Sequence, residues 1–268
     1  MKIIINFFFF FKDNVLERIN GIITLINACY SENEEQIKEI VKIKVDFNVI
    51  EEGGDTPLII SCKKGNLNIV KLLVDNGADI NKKNKYGDTP LTISCEKGNF
   101  DIIKYLVKKG ADINLFNSTG TSPLNILCRK SSENSLKIMD YLITKNESCI
   151  DKIDKNYNTT KNESCINKID NNYNTPLLMS CYFNNKKMIK YLIRYSNINI
   201  QNNYQDSSLI ISCYFDNSTI VGYLIEKNAN EYLKNIYGDI CFSIAKKLKN
   251  ENSLKKLEES NFFLYISL

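Results

Sequence analysis

The chain has 268 residues, of which 43% are hydrophobic and 25% charged, a balance that is typical of a folded protein and not of a disordered one. Its formal net charge of +4 gives no bulk argument for a nucleic-acid-binding or membrane-surface protein. It contains no histidine, which excludes Ser-His-Asp and Cys-His catalytic sites and the usual Cys/His zinc spacings.

The N-terminal stretch 1–18 carries an apolar run, at positions 3–5 and 7–11, behind Lys2. The run has no small-residue cleavage site and is far shorter than the roughly 20 residues that a membrane-spanning helix needs. We therefore predict a hydrophobic leader or N-terminal cap over 1–18, ahead of the first folded element, and no membrane contact.

Six of the nine cysteines recur at intervals of 33, 33, 33, 53 and 32 residues: Cys29, Cys62, Cys95, Cys128, Cys181 and Cys213. A period of this length predicts a repeat array. Neighbouring helices lie roughly 8–10 Å apart, beyond the reach of a disulfide, so we expect buried packing positions rather than bridges or metal ligands. Unpaired thiols favour a reducing, intracellular compartment. We expect the cytoplasm rather than the nucleus.

The best-defined unit begins with a predicted helix N-cap at Thr56, followed by Pro57 at the first helical position, where a missing N–H costs nothing. The residues of one narrow, inward helix face are Leu58, Ser61 and Cys62. Gly65 is placed to end this helix in the left-handed conformation.

A second helix follows in the same unit, and Gly77 is placed to end it. Its predicted apolar face is formed by Ile69, Leu72 and Leu73. The stretch 78–87 is polar and rich in turn residues, which predicts a projecting loop or hairpin finger.

Two motifs of this unit return at the interval that separates Cys62 from Cys95: Gly54–Leu58 as Gly87–Leu91, and Gly77–Asn81 as Gly110–Asn114. This pattern resembles the ankyrin repeat. The resemblance implies an all-α ankyrin-repeat solenoid of helix-loop-helix units with projecting fingers, about six repeats plus a degenerate C-terminal cap. We expect one array over 19–268, with units at 19–51, 52–84, 85–117, 118–170, 171–202, 203–235 and 236–268.

The chain departs from the family where a histidine usually follows T-P-L. The residues found there are Ile59, Thr92, Asn125, Leu178 and Ile210. In the family this histidine helps to tie neighbouring loops by hydrogen bonds, so its absence predicts a less rigid array.

The long interval between Cys128 and Cys181 contains a tandem duplication, because the segment 145–160 recurs as 161–176 with three substitutions. We expect the duplicate to lengthen the finger of the fourth unit, and four further residues to lie at Ser131–Glu133 and before Ile150. Two interpretations stay open, a binding finger and a loop produced by replication slippage, and slippage is favoured. A regulatory bridge between Cys149 and Cys165 is conceivable but less favoured.

The resemblance implies a non-catalytic protein-interaction scaffold that uses the concave side of its array, meaning exposed first-helix positions and fingers. The partner-binding candidates are Lys63, Lys64, Lys97, Arg129, Lys130, Tyr182, Phe183, Tyr214 and Phe215 after the register cysteines, with Tyr86, Tyr204 and Tyr237 in the fingers. The early half is basic and the later half aromatic, which suits an acidic protein partner with apolar anchors. We expect a monomer, and no cofactor, metal or small-molecule substrate is indicated.

Alternatives to this interpretation stay open. A solvated face is the favoured interpretation of four of these lysines: Lys63, Lys64, Lys97 and Lys130. Separately, the rings of Phe183 and Phe215 could fold into the groove between helices. The array could instead serve as a targeting or adaptor subunit of a larger complex. Nucleic-acid binding through the basic N-terminal half is a weaker alternative. The tail 254–268 is expected to cap the last repeat rather than to dock elsewhere.

Overall fold

The computed structural model describes residues 19–43, 45–145, 165–167 and 169–266, and the side chains of the last helix as far as residue 260. The described residues form α-helices, one short 3-10 helix and connecting turns, without a β-strand. They divide into two compact units, Met1–Ser118 and Thr119–Leu268. The single array over 19–268 stays a prediction. The predicted leader, 1–18, and Cys149 lie outside the described residues.

The first unit contains six described helices: α1 (19–31), α2 (Glu34–Ile40), α3 (Pro57–Lys64), α4 (Leu67–Asp75), α5 (Pro90–Lys97) and α6 (Phe100–Lys108). Helices α3 and α5 are followed by α4 and α6 as antiparallel partners. α3 packs against α5, and α4 packs against both α2 and α6. First helices and second helices therefore form two neighbouring rows.

The second unit repeats this plan with eight helices: α7 (Pro123–Cys128), α8 (Glu133–Lys145), α9 (Pro176–Tyr182), α10 (Lys186–Leu192), α11 (Ser208–Tyr214), α12 (Ser218–Glu226), α13 (Cys241–Leu248) and α14 (Glu251–Ile266). Helices α7, α9, α11 and α13 pack in sequence, and α14 packs against α12 and α13. Leu257 of α14 is fully buried, so this helix covers the last repeat.

The predicted start and end of the first helix are confirmed. Thr56 Oγ1 accepts a hydrogen bond from the N–H of Ile59 at 3.2 Å, and Gly65 has φ = 86°. The predicted single inward face is wrong, because residues 57–62 are all buried. Helix α3 packs against both α4 and α5, so more than one of its sides is covered.

The second helix of this unit also differs in detail from the prediction. Its buried residues are Ile69, Val70 and Leu73, whereas Leu72 is only half-buried. Val70, and not Leu72, therefore completes the buried side of this helix.

The six register cysteines are buried and unbridged, as predicted, and so is Cys241. Their thiols also have hydrogen-bond partners that the periodicity does not indicate. Four of them face the serine that precedes the next register cysteine, in the pairs Cys29–Ser61, Cys62–Ser94, Cys128–Ser180 and Cys181–Ser212. The seam between first helices is therefore a row of alternating thiols and hydroxyls.

The long fourth interval has two structural causes. Helices α4 and α6 end only five positions before Ile80 and Ile113, whereas α8 ends at Lys145, far ahead of the equivalent Ile166. The excess in this separation equals the length of the duplicated block 145–160. The rest of the interval's excess extends the second helix, since α8 has 13 residues and α4 and α6 have nine each. The expected extra residues between the helices are therefore an additional helical turn.

Candidate partner-binding surfaces

An asparagine organises the finger of each well-formed repeat. Asn84 Oδ1 accepts hydrogen bonds from the backbone N–H groups of Tyr86 and Asp88, both at 2.9 Å. Its Nδ2 donates to Asp55 Oδ1, in the turn that precedes α3, also at 2.9 Å. Asn84 is buried, so these bonds satisfy a polar side chain that has little access to water. The same side chain thus shapes one finger and ties it to the next.

Equivalent asparagines act in the second unit. Asn202 Oδ1 accepts from the N–H groups of Tyr204 and Asp206, and its Nδ2 donates to Asn174 at 3.2 Å. Asn235 Oδ1 accepts in the same way from Tyr237 and Asp239. The bond between Asn202 and Asn174 links neighbouring fingers in a chain that lacks the family's histidine. At one histidine position, the fully buried Asn125 has no hydrogen-bond partner for either side-chain polar atom among the described residues.

In the first unit, the candidate lysines differ in whether a carboxylate of the chain balances their charge. Lys63 Nζ lies 2.5 Å from Asp55 Oδ2, a buried carboxylate that also accepts from Asn84. The charge of Lys63 is therefore balanced within the chain. Lys64 and Lys97 are exposed at the ends of α3 and α5.

The finger residue Tyr86 has 56% of its surface exposed, and Lys85 Nζ lies 5.1 Å from the centre of its ring. An intramolecular cation therefore already contacts this ring.

In the second unit, Arg129 is exposed and Lys130 half-buried. The Arg129 guanidinium lies 5.7 Å from the centre of the Phe183 ring, within the range of a cation–π interaction. Phe183 and Phe215 are 46% and 54% exposed, so neither ring folds into the groove between helices. The two phenylalanines stand out from the ends of α9 and α11.

The tyrosines beside these phenylalanines are held by the finger asparagines. Tyr182 Oη accepts from Asn202 Nδ2, and Tyr214 Oη from Asn235 Nδ2, both at 3.0 Å. Tyr182 is half-buried and Tyr214 is 37% exposed. The Tyr182 ring meets the edge of Phe215 at a centroid distance of 6.4 Å. The aromatic side chains of successive repeats are thus in contact and fixed in orientation.

The most exposed candidates are the finger tyrosines Tyr204 and Tyr237, at 54% and 74%. Together with the four rings on α9 and α11 they form what we call the aromatic surface: Tyr182, Phe183, Tyr204, Tyr214, Phe215 and Tyr237.

Sequence reasoning missed Asp206, which lies next to the aromatic surface. Burial, and then the negative charge of Asp206, raise the pKa of both Tyr182 and Tyr214, which places the carboxylate close to both rings. Asp206 is only 7% exposed. Burial raises its own pKa, and a hydrogen bond with the side chain of Asn235 lowers it by a smaller amount. The sequence does contain a signal for this site. A lysine lies eight residues after Asp55 and after Asp239, whereas a tyrosine lies eight residues after Asp206.

A cleft on the outer helices of the second unit has a volume of about 350 Å³. It is lined by Leu136, Lys137, Asp140, Lys187, Lys190, Tyr191 and Arg194. Tyr191 Oη donates to Asp140 at 2.9 Å, and Lys187 pairs with Glu133 at 3.1 Å, so part of its polar lining joins α8 to α10.

The described ranges contain neither a candidate metal site nor a candidate membrane span. No group of three or more Cys, Asp or Glu side chains there is arranged to hold a metal ion. None of the helices in the same ranges combines the length and apolar character that crossing a membrane requires.

These observations define a helical repeat protein whose units are antiparallel helix pairs joined by turn-based fingers. A sequence profile described as ankyrin repeats (3 copies) matches residues 4–84, 25–117, 77–159 and 155–235. The chain therefore belongs to the ankyrin-repeat family. A search of curated proteins finds no match.

Solved structures share this fold. The ankyrin repeat domain of Bcl-3, described as a unique member of the IkappaB protein family, superposes with a TM-score of 0.74 at 19% identity, covering 88% of this chain and 97% of that domain. The human ASB11 ankyrin repeat domain gives a TM-score of 0.65 at 20% identity, with coverages of 82% and 90%. At these identities the likeness shows the fold.

Proposed function

We propose that the chain is a non-catalytic protein-binding scaffold, and that the concave side of its repeats holds the partner through the aromatic surface. Ankyrin repeats generally mediate protein–protein interaction. The observation that carries the proposal is that Asn202 and Asn235 fix Tyr182 and Tyr214, the two tyrosines of the aromatic surface that lie on α9 and α11. Fixed aromatic side chains lose little entropy on binding and dominate the energetics of many interfaces.

The basic candidates supply a second element of this proposal. Lys64 and Lys97 are exposed cations in the first unit, and they favour acidic groups in the segment of the partner that meets them. Lys63 contributes less, because its charge is balanced by Asp55. The proposed partner is thus a protein with apolar anchors for the aromatic surface and acidic groups for the first unit, bound by a monomer. An adaptor role would use the same surfaces.

The test is affinity capture from a lysate of the native cell, using the full chain as bait. The double substitution Tyr204→Ala with Tyr237→Ala removes two exposed rings whose side chains make no described internal hydrogen bond. Tyr195→Ala is the matched control, since this exposed tyrosine follows the outer helix α10. We expect the partner to be lost with the double variant and kept with the control. Equal recovery in all three samples would contradict the proposal.

A further inference from the structure

Buried carboxylates are rare in this chain and need a partner. Among the described residues, the buried acidic side chains are Asp55 and Asp206, at 6% and 7% exposure. An ionised carboxylate away from water is costly unless a cation or several hydrogen bonds compensate it. How each of the two is compensated therefore indicates what its site lacks.

Asp55 is compensated within the chain. Its Oδ2 faces Lys63 Nζ at 2.5 Å and its Oδ1 accepts from Asn84. The lysine lies eight residues after the aspartate, at the end of the helix that the aspartate precedes. The last repeat uses the same arrangement, because Lys247 Nζ lies 2.6 Å from Asp239 Oδ1. An Asp and a Lys eight residues apart thus form an ion pair in two repeats, whereas Asp88 is followed at the same spacing by Glu96.

Asp206 occupies the equivalent position but lacks the cation. The residue eight positions later is Tyr214, whose hydroxyl accepts from Asn235. Asp206 Oδ1 has no hydrogen-bond partner among the described residues, although it is buried. Asn235, an uncharged donor, does bond the carboxylate and lowers its pKa. The carboxylate therefore retains an unused acceptor in Oδ1 and a negative charge that no described cation balances.

The surroundings of Asp206 suit a cation. Asn202 bonds both the Tyr182 hydroxyl and the backbone N–H of Asp206, and the charge of Asp206 raises the pKa of both Tyr182 and Tyr214. The more exposed rings of Tyr204 and Tyr237 lie in the adjoining fingers. Aromatic faces attract cations, and in this unit Phe183 already holds the guanidinium of Arg129. Rings that flank an uncompensated carboxylate would bind a positively charged side chain by both attractions.

We infer that Asp206 and the tyrosines around it form a binding site for a lysine or arginine side chain of the partner protein. The incoming cation takes the place that Lys63 and Lys247 fill at the equivalent carboxylates, and its aliphatic stem packs against the tyrosine rings. The inference rests on the proposed function and specifies the chemistry of one anchor. It differs from the acidic groups expected opposite the first unit, because it concerns a single cationic side chain at the aromatic surface.

The test uses the full chain and two synthetic peptides, acetyl-Gly-Leu-Arg-Leu-Gly-amide and the same peptide with citrulline in place of arginine. Citrulline keeps the shape of the side chain and removes its charge. Titration followed by NMR should give at least about fivefold tighter binding of the arginine peptide, with shifts in residues 202–206 and 235–239. Equal affinities of the two peptides, or no binding of either, would overturn the inference.

Three variants assign any preference to the site. Asp206→Asn removes the charge, and Tyr214→Lys supplies the internal cation found at Asp55 and Asp239, so both should abolish the preference for arginine. Tyr214→Lys should also raise the melting temperature, which shows that the lysine reaches the carboxylate. Glu226→Gln, at an exposed position on α12, should leave the preference intact. A preference that persists in Asp206→Asn would contradict the inference, whereas failure of the proposed function would appear in the capture experiment.

Discussion

The side-chain oxygen Oδ1 of Asn167 accepts a hydrogen bond from the backbone N–H of Asn197 at 3.1 Å. The same bond joins fingers elsewhere in each unit, from Asp79 to Asn48, from Asp112 to Asn81 and from Asn230 to Asn199. Ile166, the neighbour of Asn167, is fully buried. Residues 165–167 and 169–176, which belong to the second copy of the duplicated block, therefore occupy the ordinary finger position of the repeat.

Deleting the first copy, 145–160, should preserve the fold. The connection between α8 and Ile166 then shortens to a few residues, which should raise the free energy of unfolding by about 1 kcal/mol through a smaller loop-closure entropy. The matched control deletes 161–176 and leaves Thr160 in the place of Pro176. Because a proline restricts the unfolded chain, the control should be less stable than the first deletion by about 0.5–1 kcal/mol. Urea denaturation measures both. Loss of a cooperative transition in the first deletion would contradict the assignment.

Replacing the finger asparagine should destabilise the first unit. Asn84→Ala removes the acceptor of two backbone N–H groups and one donor to Asp55, so we expect a loss of about 2–3 kcal/mol in urea denaturation. Asn68→Ala is the control, because its exposed side chain bonds only to Glu34 and should change stability by no more than about 0.5 kcal/mol. Equal effects of the two substitutions would argue against a tie between fingers.

A proline at position 208 should stabilise the second unit. Helices α3, α5, α7 and α9 begin with proline, whereas α11 begins with Ser208 after an N-cap, Ser207, in extended conformation. Ser208→Pro restricts the unfolded chain without removing a helical hydrogen bond, so it should raise the free energy of unfolding by about 0.5–1 kcal/mol. Loss of the hydrogen bond between Ser208 and Cys181 reduces this gain. The reverse change, Pro176→Ser, should lower stability by a similar amount. Thermal melts of the two variants check the opposite signs.

The pKa of Asp206 predicts a component of the pH dependence of stability. Burial raises this pKa in the folded state, so the folded chain binds the proton more tightly than the unfolded chain. Stability must then fall as the pH rises from the unfolded pKa, about 3.9, through the folded value. Asp206→Asn removes this component, and its stability relative to the wild type should increase with pH over that window. A difference independent of pH, in melts from pH 4 to 8, would contradict the prediction.

The buried thiols should be unreactive in the native protein. Burial raises the pKa of Cys29 to about 11 and those of Cys62, Cys128 and Cys181 to about 12, so almost no thiolate forms at pH 8. In a variant with Cys149→Ser and Cys165→Ser, Ellman's reagent should detect no thiol before unfolding and all seven remaining cysteines in guanidinium. Rapid reaction of the native protein would contradict the buried seam.

The sequence alone was sufficient for the repeat and for the boundaries of helix α3. Thr56, Pro57 and Gly65 act through local backbone chemistry, and their recurrence at the cysteine interval places the same helix pair in each repeat. That interval likewise predicts a buried seam, because a repeated small residue in a helical array marks a close approach. These features depend on neighbours within one turn of the chain or on simple periodicity.

Only the tertiary structure decided which buried polar side chains have a partner. Asp55 and Asp206 occupy the same place in their units, yet Lys63 balances one carboxylate and Tyr214 leaves the other unbalanced. The finger bond of Asn167 likewise assigns the finger position to residues of the second copy of the duplicated block. Such differences arise because the energy of a buried polar atom depends on whether packing brings a partner to it. That partner lies eight residues away for Asp55 and about a repeat away for the finger bond of Asn167.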